Sequence, residues 1–226
     1  MSAGLSEYRT VGALRFPAVL GQEEIERIAA LFSETNRPGK RLSRDDLRPV
    51  ADLIRANGAI GRIAAGVLGG DARPVRALLL NKSGAVNWRL GWHQDRTIAV
   101  RERVDVAGFG PWSVKSRQPH VQPPHEITAR MITLRVHVDR VDRDNAPLEV
   151  LAGSHLLGQL TNEAVELLAE RLEPMTCLAE PGDVWAYSTA IVHSSAEQRR
   201  GTRRRVLQLD YAPDELPGGL EWVQLL

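Results

Sequence analysis

The residues from 132 to 139 alternate between apolar and polar side chains, and this alternation constrains the fold more than any other feature of the chain. Its two sets are Ile132, Leu134, Val136 and Val138 on the apolar side and Thr133, Arg135, His137 and Asp139 on the polar side. Successive side chains of a β-strand point to opposite faces of the sheet. The pattern therefore predicts a strand with one apolar and one polar face.

Short apolar runs that are typical of strands recur through the second part of the chain. They lie at 75–80, 148–151, 175–178, 184–187, 190–194 and 204–211. The first 70 residues differ, because apolar side chains recur there with helical spacing, at 25–32, 43–54 and 60–67. Helices followed by many short strands predict one α+β domain, mainly β, whose core is a sandwich or a barrel. We place its mostly helical part at 1–70 and its β core at 74–212.

Size and composition fit a single soluble domain. The chain has 226 residues, of which 43% are hydrophobic and 25% charged. Its formal net charge of +1 gives no reason to expect a nucleic acid or an anionic membrane as a partner. One cysteine, Cys177, excludes an intrachain disulfide and fits a reducing compartment. The chain begins without a signal-peptide pattern and has no membrane-length apolar run, so we expect a cytoplasmic protein.

One segment inside the β part lacks any periodic pattern. Residues 101–127 contain several glycines and prolines, together with Phe109 and Trp112 as apolar residues that could dock. A long segment without regular structure in a compact domain is usually functional or disordered. We expect a lid-like insert here.

The most informative short motif is Trp92-His93-Gln94-Asp95. On an extended backbone, residues i and i+2 point to the same face, so His93 and Asp95 would present an imidazole and a carboxylate together. A second histidine would complete a set of two histidines and one carboxylate, which suits non-haem Fe(II) and leaves coordination positions open. A surface turn is the alternative, because a bare His-x-Asp also occurs by chance.

The second histidine has to come from elsewhere in the chain. His193 is the best candidate, because it follows a predicted strand and the apolar run 190–192 and precedes an arginine cluster. The other histidines have ordinary interpretations as strand, loop or turn residues; they are His120, His125, His137 and His155.

The arginine cluster occupies residues 199–205, with five arginines in seven positions. A solvated hairpin is the common interpretation of such a run, and a nucleic-acid patch is disfavoured because no aromatic residues interleave with the arginines. An arginine on a strand next to an iron site could instead clamp the carboxylate of a keto acid.

Five segments in order resemble the phytanoyl-CoA dioxygenase family of Fe(II)/2-oxoglutarate-dependent oxygenases. The segments are Asn87-Trp88 with 92–95, Asn145-Ala146-Pro147-Leu148, Gly153-Ser154-His155, Pro181-Gly182-Asp183, and His193-Ser194-Ser195 with Arg204-Arg205. The resemblance covers roughly residues 75–212. It implies a double-stranded β-helix, the jelly-roll or cupin-like fold, with the N-terminal helices packed on one sheet.

The resemblance also implies a set of site residues. His93, Asp95 and His193 would be the iron ligands. Arg204, eleven positions after His193, would hold 2-oxoglutarate, although Arg203 and Arg205 flank it. Ser195 would contact the same carboxylate, and Lys82 is a looser candidate for this pocket. The halogenases of this superfamily lack the carboxylate ligand, so Asp95 favours hydroxylation.

The expected cofactors are Fe(II), 2-oxoglutarate and O2, and the expected reaction hydroxylates a C–H bond with release of succinate and CO2. The substrate is predicted to be a small anionic molecule, such as an amino acid, an N-acyl amino acid or another carboxylate. Candidate substrate contacts are Arg135, His137, Trp92 and Trp112. Two alternatives remain open, a non-catalytic β-helix protein that binds metal or ligand and a zinc hydrolase that uses the same three ligands. The sequence carries no signal for an oligomeric state.

Overall fold

Helices form a layer at the N-terminal end of the chain. The structure is a computed structural model and describes residues 2–32, 37–70 and 72–226. The early helices are α1 (Ser2–Val11), α2 (Gln22–Ala30), α3 (Arg44–Leu47), α4 (Ala51–Ile54) and α5 (Gly61–Leu68). Two more follow later, α6 (His125–Ala129) and α7 (Asn162–Arg171), and single 3-10 turns lie at Arg48–Val50 and Ser154–Leu157.

The helix predicted over 43–54 is divided into α3, a 3-10 turn and α4. Ser43 does begin it, because its side chain accepts a hydrogen bond from the Asp46 amide while the Asp46 carboxylate accepts one from the Ser43 amide, a capping box. Pro49 follows in the 3-10 turn. Proline has no N–H to donate to the helical ladder, and this interrupts the predicted helix.

A six-stranded antiparallel sheet, here called the major sheet, forms the centre of the fold. Its strand order is β1-β11-β8-β13-β3-β2. The strands are β1 (Ala13–Phe16), β2 (Gly39–Arg41), β3 (Arg73–Lys82), β8 (Ile132–His137), β11 (Val184–Ser188) and β13 (Arg204–Ala212). The alternating segment is thus β8, with β11 and β13 as its neighbours.

Two smaller sheets complete the β structure. The minor sheet has the order β10-β9-β12-β4, with strands β10 (Met175–Cys177), β9 (Leu148–Val150), β12 (His193–Ser195) and β4 (Leu90–His93). The third sheet has the order β5-β7-β6, with strands β5 (Ile98–Ala99), β7 (Gln118–Val121) and β6 (Trp112–Lys115). The major and minor sheets form a jelly roll, which confirms the predicted fold class.

The two faces of the major sheet have different chemistry, as the alternation in β8 predicts. Leu134, Val136 and Leu207 face the helical layer and pack with helical residues such as Ile28 and Ile54. The N-terminal helices therefore cover one face of this sheet, as the resemblance implies. The opposite face carries Thr133, Arg135 and His137 and lines the interior of the jelly roll, where all three are buried.

The N-terminal part is less purely helical than its pattern predicts. Both edge strands of the major sheet, β1 and β2, come from this part of the chain. They are four and three residues long, too short to show a period of two clearly.

The segment 101–127 is not structureless, which corrects the expectation from its composition. It contains β6, β7 and the start of α6, and Val121 packs with Ile98 and Trp222 in a separate apolar cluster. The turn between β6 and β7 has positive φ at both Ser116 (52°) and Arg117 (65°). Such two-residue turns normally carry Asn-Gly, so this hairpin had no sequence signature. Its role as a lid stays a prediction.

Across the described residues, every helix is too short or too polar to cross a membrane.

Candidate active site

Two histidines meet across the minor sheet. His93 at the end of β4 lies directly opposite His193 at the start of β12, and the centroids of their rings are 4.3 Å apart. Asp95 follows two residues after His93. One potential ligand atom from each of the three side chains lies within 4.8 Å of the others, and among the described residues this is the group that could hold a metal ion. The predicted pairing of His-x-Asp with His193 therefore exists in space.

Backbone carbonyls orient both imidazoles. The Nδ1 atom of His93 lies 2.8 Å from the carbonyl oxygen of Gly91, and the Nδ1 atom of His193 lies 3.0 Å from that of Ile191. Since a carbonyl can only accept, Nδ1 carries the proton in each ring. Nε2 is left with a free lone pair, which is the form that binds a metal. The donor set of two nitrogens and one carboxylate fits non-haem Fe(II).

A buried arginine holds the carboxylate of the cluster. Arg76 on β3 donates from Nη2 to the Asp95 carboxylate at 2.8 Å, and from Nε to the carboxylate of Asp210 on β13. Thr133 donates to Asp210 as well, at 3.1 Å. Burial acts to raise the pKa of Asp95, but Arg76 and then the two histidines outweigh it and hold that pKa below its usual range. Asp95 is thus ionised and fixed in place.

Gln94 fixes the chain between His93 and Asp95. Its side chain is buried, donates to the carbonyl of Ala190 at 2.8 Å and accepts from the amide of Leu160 at 2.9 Å. This ties the motif to the segment that leads into β12. The motif is therefore not the surface turn that was the alternative interpretation.

Three side chains named by the resemblance come together at the far end of the interior. Arg204 and Lys82 lie opposite each other on β13 and β3, with exposed fractions of 1% and 0%. Lys82 donates to Ser195 Oγ at 2.9 Å, and Ser195 donates to the Ala146 carbonyl at 3.2 Å, which Arg204 also contacts. The structure thus groups Lys82, Ser195 and Arg204 in one pocket.

This pocket contains more positive charge than its partners neutralise. The Nε and Nη2 atoms of Arg204 are buried and make no hydrogen bond to the described residues. Burial and the neighbouring Arg135 lower the pKa of Arg204 to about 9. Burial, Arg204 and Arg135 lower the pKa of Lys82 to about 7. Buried unpaired cations are costly, so the pocket is suited to an anion.

The strand register distinguishes among the three consecutive arginines. Arg205 points away from the interior and pairs with Asp139, with Nη2 and Oδ1 2.7 Å apart. Arg203 precedes the strand and is exposed. Arg204 alone of the three is buried in the interior, as strand alternation predicts.

Two of the predicted substrate residues also face this interior. Arg135 donates to the Gln208 side chain at 3.2 Å, and its guanidinium carbon lies 5.7 Å from the centroid of the Tyr187 ring. Neither ring nitrogen of His137 has a hydrogen-bond partner in the described part of the chain. Burial, with Arg204 and Arg135 nearby, lowers the pKa of His137 to about 3, so this ring is neutral.

The two tryptophans predicted to contact substrate lie elsewhere. Trp92 packs with Leu160 and Leu168, on the α7 side of the minor sheet. This follows from strand alternation, because His93 beside it faces the interior. Trp112 packs in the apolar cluster of the third sheet, with the Arg103 guanidinium over its ring at 5.3 Å. Neither position fits a substrate contact at the metal cluster.

Sequence reasoning missed Arg76, Gln94 and Asp210. Arg76 had a detectable signal, because it is the one charged residue within the apolar run 75–80. Its contact with Asp95 and Asp210 depends on the pairing of β3 with β13, which no local pattern contains.

Comparison with solved structures places this fold among known ones. The chain is similar to AviO1 from Streptomyces viridochromogenes Tue57, with a TM-score of 0.66, 18% identity and 96% of each chain covered. It is similar to the non-heme alpha-ketoglutarate-dependent epimerase SnoN from nogalamycin biosynthesis, with a TM-score of 0.65, 17% identity and coverage of 93% and 80%. EctD from S. alaskensis with 2-oxoglutarate and 5-hydroxyectoine gives a TM-score of 0.69 at 15% identity, with coverage of 94% and 76%. These likenesses establish the shared fold.

Sequence comparison identifies the family. No curated protein matches the chain significantly. The phytanoyl-CoA dioxygenase (PhyH) family matches it over residues 8–206, and the predicted cofactors, Fe(II) and 2-oxoglutarate, agree with this match and with the His-Asp-His cluster. Since the match covers most of its length, the chain belongs to the phytanoyl-CoA dioxygenase family.

Proposed function

We propose that this protein is an Fe(II)/2-oxoglutarate-dependent oxygenase that hydroxylates a C–H bond of a small anionic substrate. One observation carries the proposal: a His-Asp-His cluster and a buried cationic pocket with unpaired donors share one interior. Binding a metal alone would require only the His-Asp-His cluster. Binding a keto acid between the metal and a cation requires both the cluster and the cationic pocket. Arg204 and Lys82 have no evident use in a zinc hydrolase.

The metal site would be formed by three side chains that are already oriented. His93 and His193 would bind through Nε2, and Asp95 through the carboxylate that Arg76 holds. Three protein ligands on one face leave positions open for the keto acid and oxygen. When bound, iron and 2-oxoglutarate supply the oxidation and release succinate and CO2. The chain's own part is to position the reactants and exclude water.

The far carboxylate of 2-oxoglutarate would lie among Arg204, Lys82 and Ser195. Arg204 offers Nε and Nη2, which have no other partner in the described chain and are spaced for a bidentate contact with a carboxylate. Ser195 lies 2.9 Å from Lys82 Nζ and is two residues from His193 on the same strand. The strand β12 would thus carry both a metal ligand and a cosubstrate contact.

Arg135 and His137 are the proposed interior contacts of the substrate. Both are buried on the polar face of β8, and neither belongs to the metal cluster. Neutral His137 could accept or donate a hydrogen bond without adding charge beside Arg204. Asp95 as the third ligand supports hydroxylation over halogenation in this family's pattern.

The experiment is an anaerobic titration of the purified protein with Fe(II) and 2-oxoglutarate, followed by the visible charge-transfer band of a chelated keto acid. We expect a band in the wild type, none in His193→Ala, and a weaker one in Arg204→Ala. Arg203→Ala is the matched control, because Arg203 is exposed beside Arg204 and its loss should leave the band unchanged. A folded, iron-loaded wild type without a band would refute the proposal.

A further inference from the structure

A cavity separate from the cationic pocket opens beside the edge of the major sheet. Its volume is about 550 Å³, and it lies between the β2–β3 edge and the third sheet. Arg41, Arg76, Ser116 and Gln118 are among its lining residues. A volume of this size accommodates a small organic molecule. Because Arg76 also donates to Asp95, the cavity reaches to within one side chain of the metal cluster.

Arg41 is a half-buried cation in the lining of this cavity, which also includes the exposed Arg37. Arg41 pairs with Leu78 across β2 and β3, so its side chain lies on the same face of the sheet as Arg76, two residues away on β3. It is half-buried, and no described residue forms an ion pair or hydrogen bond with its guanidinium group. Burial and then Arg76 lower the pKa of Arg41. Its charge is therefore shielded from water without being neutralised.

Lys115 of β6 lies near the cavity, next to the lining residue Ser116. Its amine donates to the neutral Thr97 hydroxyl at 3.0 Å. Burial, Arg41 and Arg76 all lower the pKa of Lys115. Among the described residues, the acidic side chain in the lining is Asp46, which Lys40 holds at 2.9 Å, and Arg76 holds Asp95 and Asp210.

We propose that this cavity is the outer part of the substrate site, and that Arg41, with Lys115 nearby, binds an oxyanion of the substrate, a carboxylate, sulfate or phosphate group. The inference rests on the proposed function, because the cavity gains its role from its connection to Asp95. It assigns the substrate's charged group to the cavity, while Arg135 contacts the part of the substrate that reaches the interior. The proposal therefore gives Arg41 and Arg135 different roles, although the sequence alone shows both only as cations.

Inorganic sulfate is the probe, added by calorimetric titration to anaerobic protein that already holds Fe(II) and 2-oxoglutarate. Because 2-oxoglutarate then occupies the interior pocket, sulfate can bind only in the outer cavity. We expect the wild type to bind sulfate with millimolar affinity. Arg41→Gln should bind it at least about tenfold more weakly, since hydrogen bonds to charged groups are among the strongest. Arg41→Lys should keep part of the sulfate affinity. Arg55→Gln is the matched control, because Arg55 is exposed on the helical layer and its side chain contacts no charged or polar group of the described residues.

Three outcomes would overturn the assignment: no sulfate binding in the wild type, equal affinity in the wild type and Arg41→Gln, or loss of binding in Arg135→Gln alone. The charge-transfer band in the same samples reports on the proposed function independently. If no band forms, the sulfate titration is repeated on Arg204→Ala, where the interior cation is removed. Weaker sulfate binding when Arg41→Gln is added to this variant supports the anion site even though the oxygenase proposal has failed. Equal sulfate binding refutes the anion site.

Discussion

The interior pocket and the outer cavity are both cationic, but they are built differently. Arg204 and Lys82 are almost fully buried and lie on long strands in the sheet. Arg41 is half-buried on a three-residue edge strand, and Lys115 is exposed beside a hairpin turn. Rigid, dry surroundings suit one ligand of fixed size, whereas an open site between edge elements can accept different ones. If the two proposed sites are right, the sheet would specify the cosubstrate and the elements around it would specify the substrate.

The largest effect should come from removing the interior arginine. Arg204→Gln should weaken 2-oxoglutarate binding by about 10- to 150-fold, since a hydrogen bond to a charged group contributes about 1.5–3 kcal/mol. Titration of the charge-transfer band measures this. Sulfate affinity in the outer cavity should not change, and a parallel loss of both would mean that the two cationic regions are one site.

A somewhat smaller effect is expected at Arg76, which lines the outer cavity and donates to Asp95 of the His-Asp-His cluster. Arg76→Leu should lower Fe(II) affinity by about 10- to 100-fold, because residues that orient a metal ligand typically have effects of this size. The variant also leaves Asp210 buried without its partner, which lowers stability.

The double variant Arg76→Leu/Asp210→Asn separates these two roles. It removes the buried charge and should recover much of the melting temperature while metal affinity stays low. If metal affinity returned with stability, Arg76 would be a structural residue only.

The pH dependence of cosubstrate binding should follow Lys82. Its pKa is lowered to about 7, so above that pH the free protein carries a neutral amine there. Binding a carboxylate then requires uptake of a proton, and 2-oxoglutarate affinity should fall as pH rises from 7 to 9, by at most about tenfold per pH unit. Affinities measured across this range in the wild type and in Lys82→Met test the assignment. An equally steep profile in the variant would assign the effect to another group.

The smallest effect should lie in the hairpin beside the cavity. Arg117 has a φ of 65°, which glycine adopts at lower cost than other residues. Arg117→Gly should therefore stabilise the protein by up to about 1 kcal/mol. Thermal unfolding measures this change. Unchanged 2-oxoglutarate affinity is expected, and a change in it would show that the hairpin and the interior pocket are coupled.

Local patterns predicted part of the His-Asp-His cluster, and the rest of its arrangement depends on the sheet pairing. The period of two placed His93 and Asp95 on one side of an extended segment, and the same rule selects Arg204 from its neighbours. Applied to Trp92, that rule would have excluded it as an interior residue. The meeting of His193 with His93, by contrast, depends on which strands become neighbours.

The missed features depend on contacts that a local sequence pattern does not specify. Arg76 bridges two carboxylates that are 19 and 134 residues away in sequence. The outer cavity lies between β2, β3 and the third sheet, and each of these elements is ordinary by itself. The hairpin at 116–117 uses a backbone conformation that its residues seldom adopt. Such features follow from the assembled fold.

The pairing of β12, and the spacing of His193 and Ser195 along it, have a consequence for the length of the keto acid that the proposed site would accept. His193 pairs with His93, whereas Ser195 pairs with Leu90, so two residue steps along β12 correspond to three along β4. Along an extended strand, the two positions are separated by roughly 6–7 Å. If His193 binds the metal that holds one end of a keto acid, and Ser195 contacts its far carboxylate, the spacing of these two residues sets the length of keto acid that fits. Oxaloacetate, one methylene shorter, and 2-oxoadipate, one longer, would both fit it worse than 2-oxoglutarate.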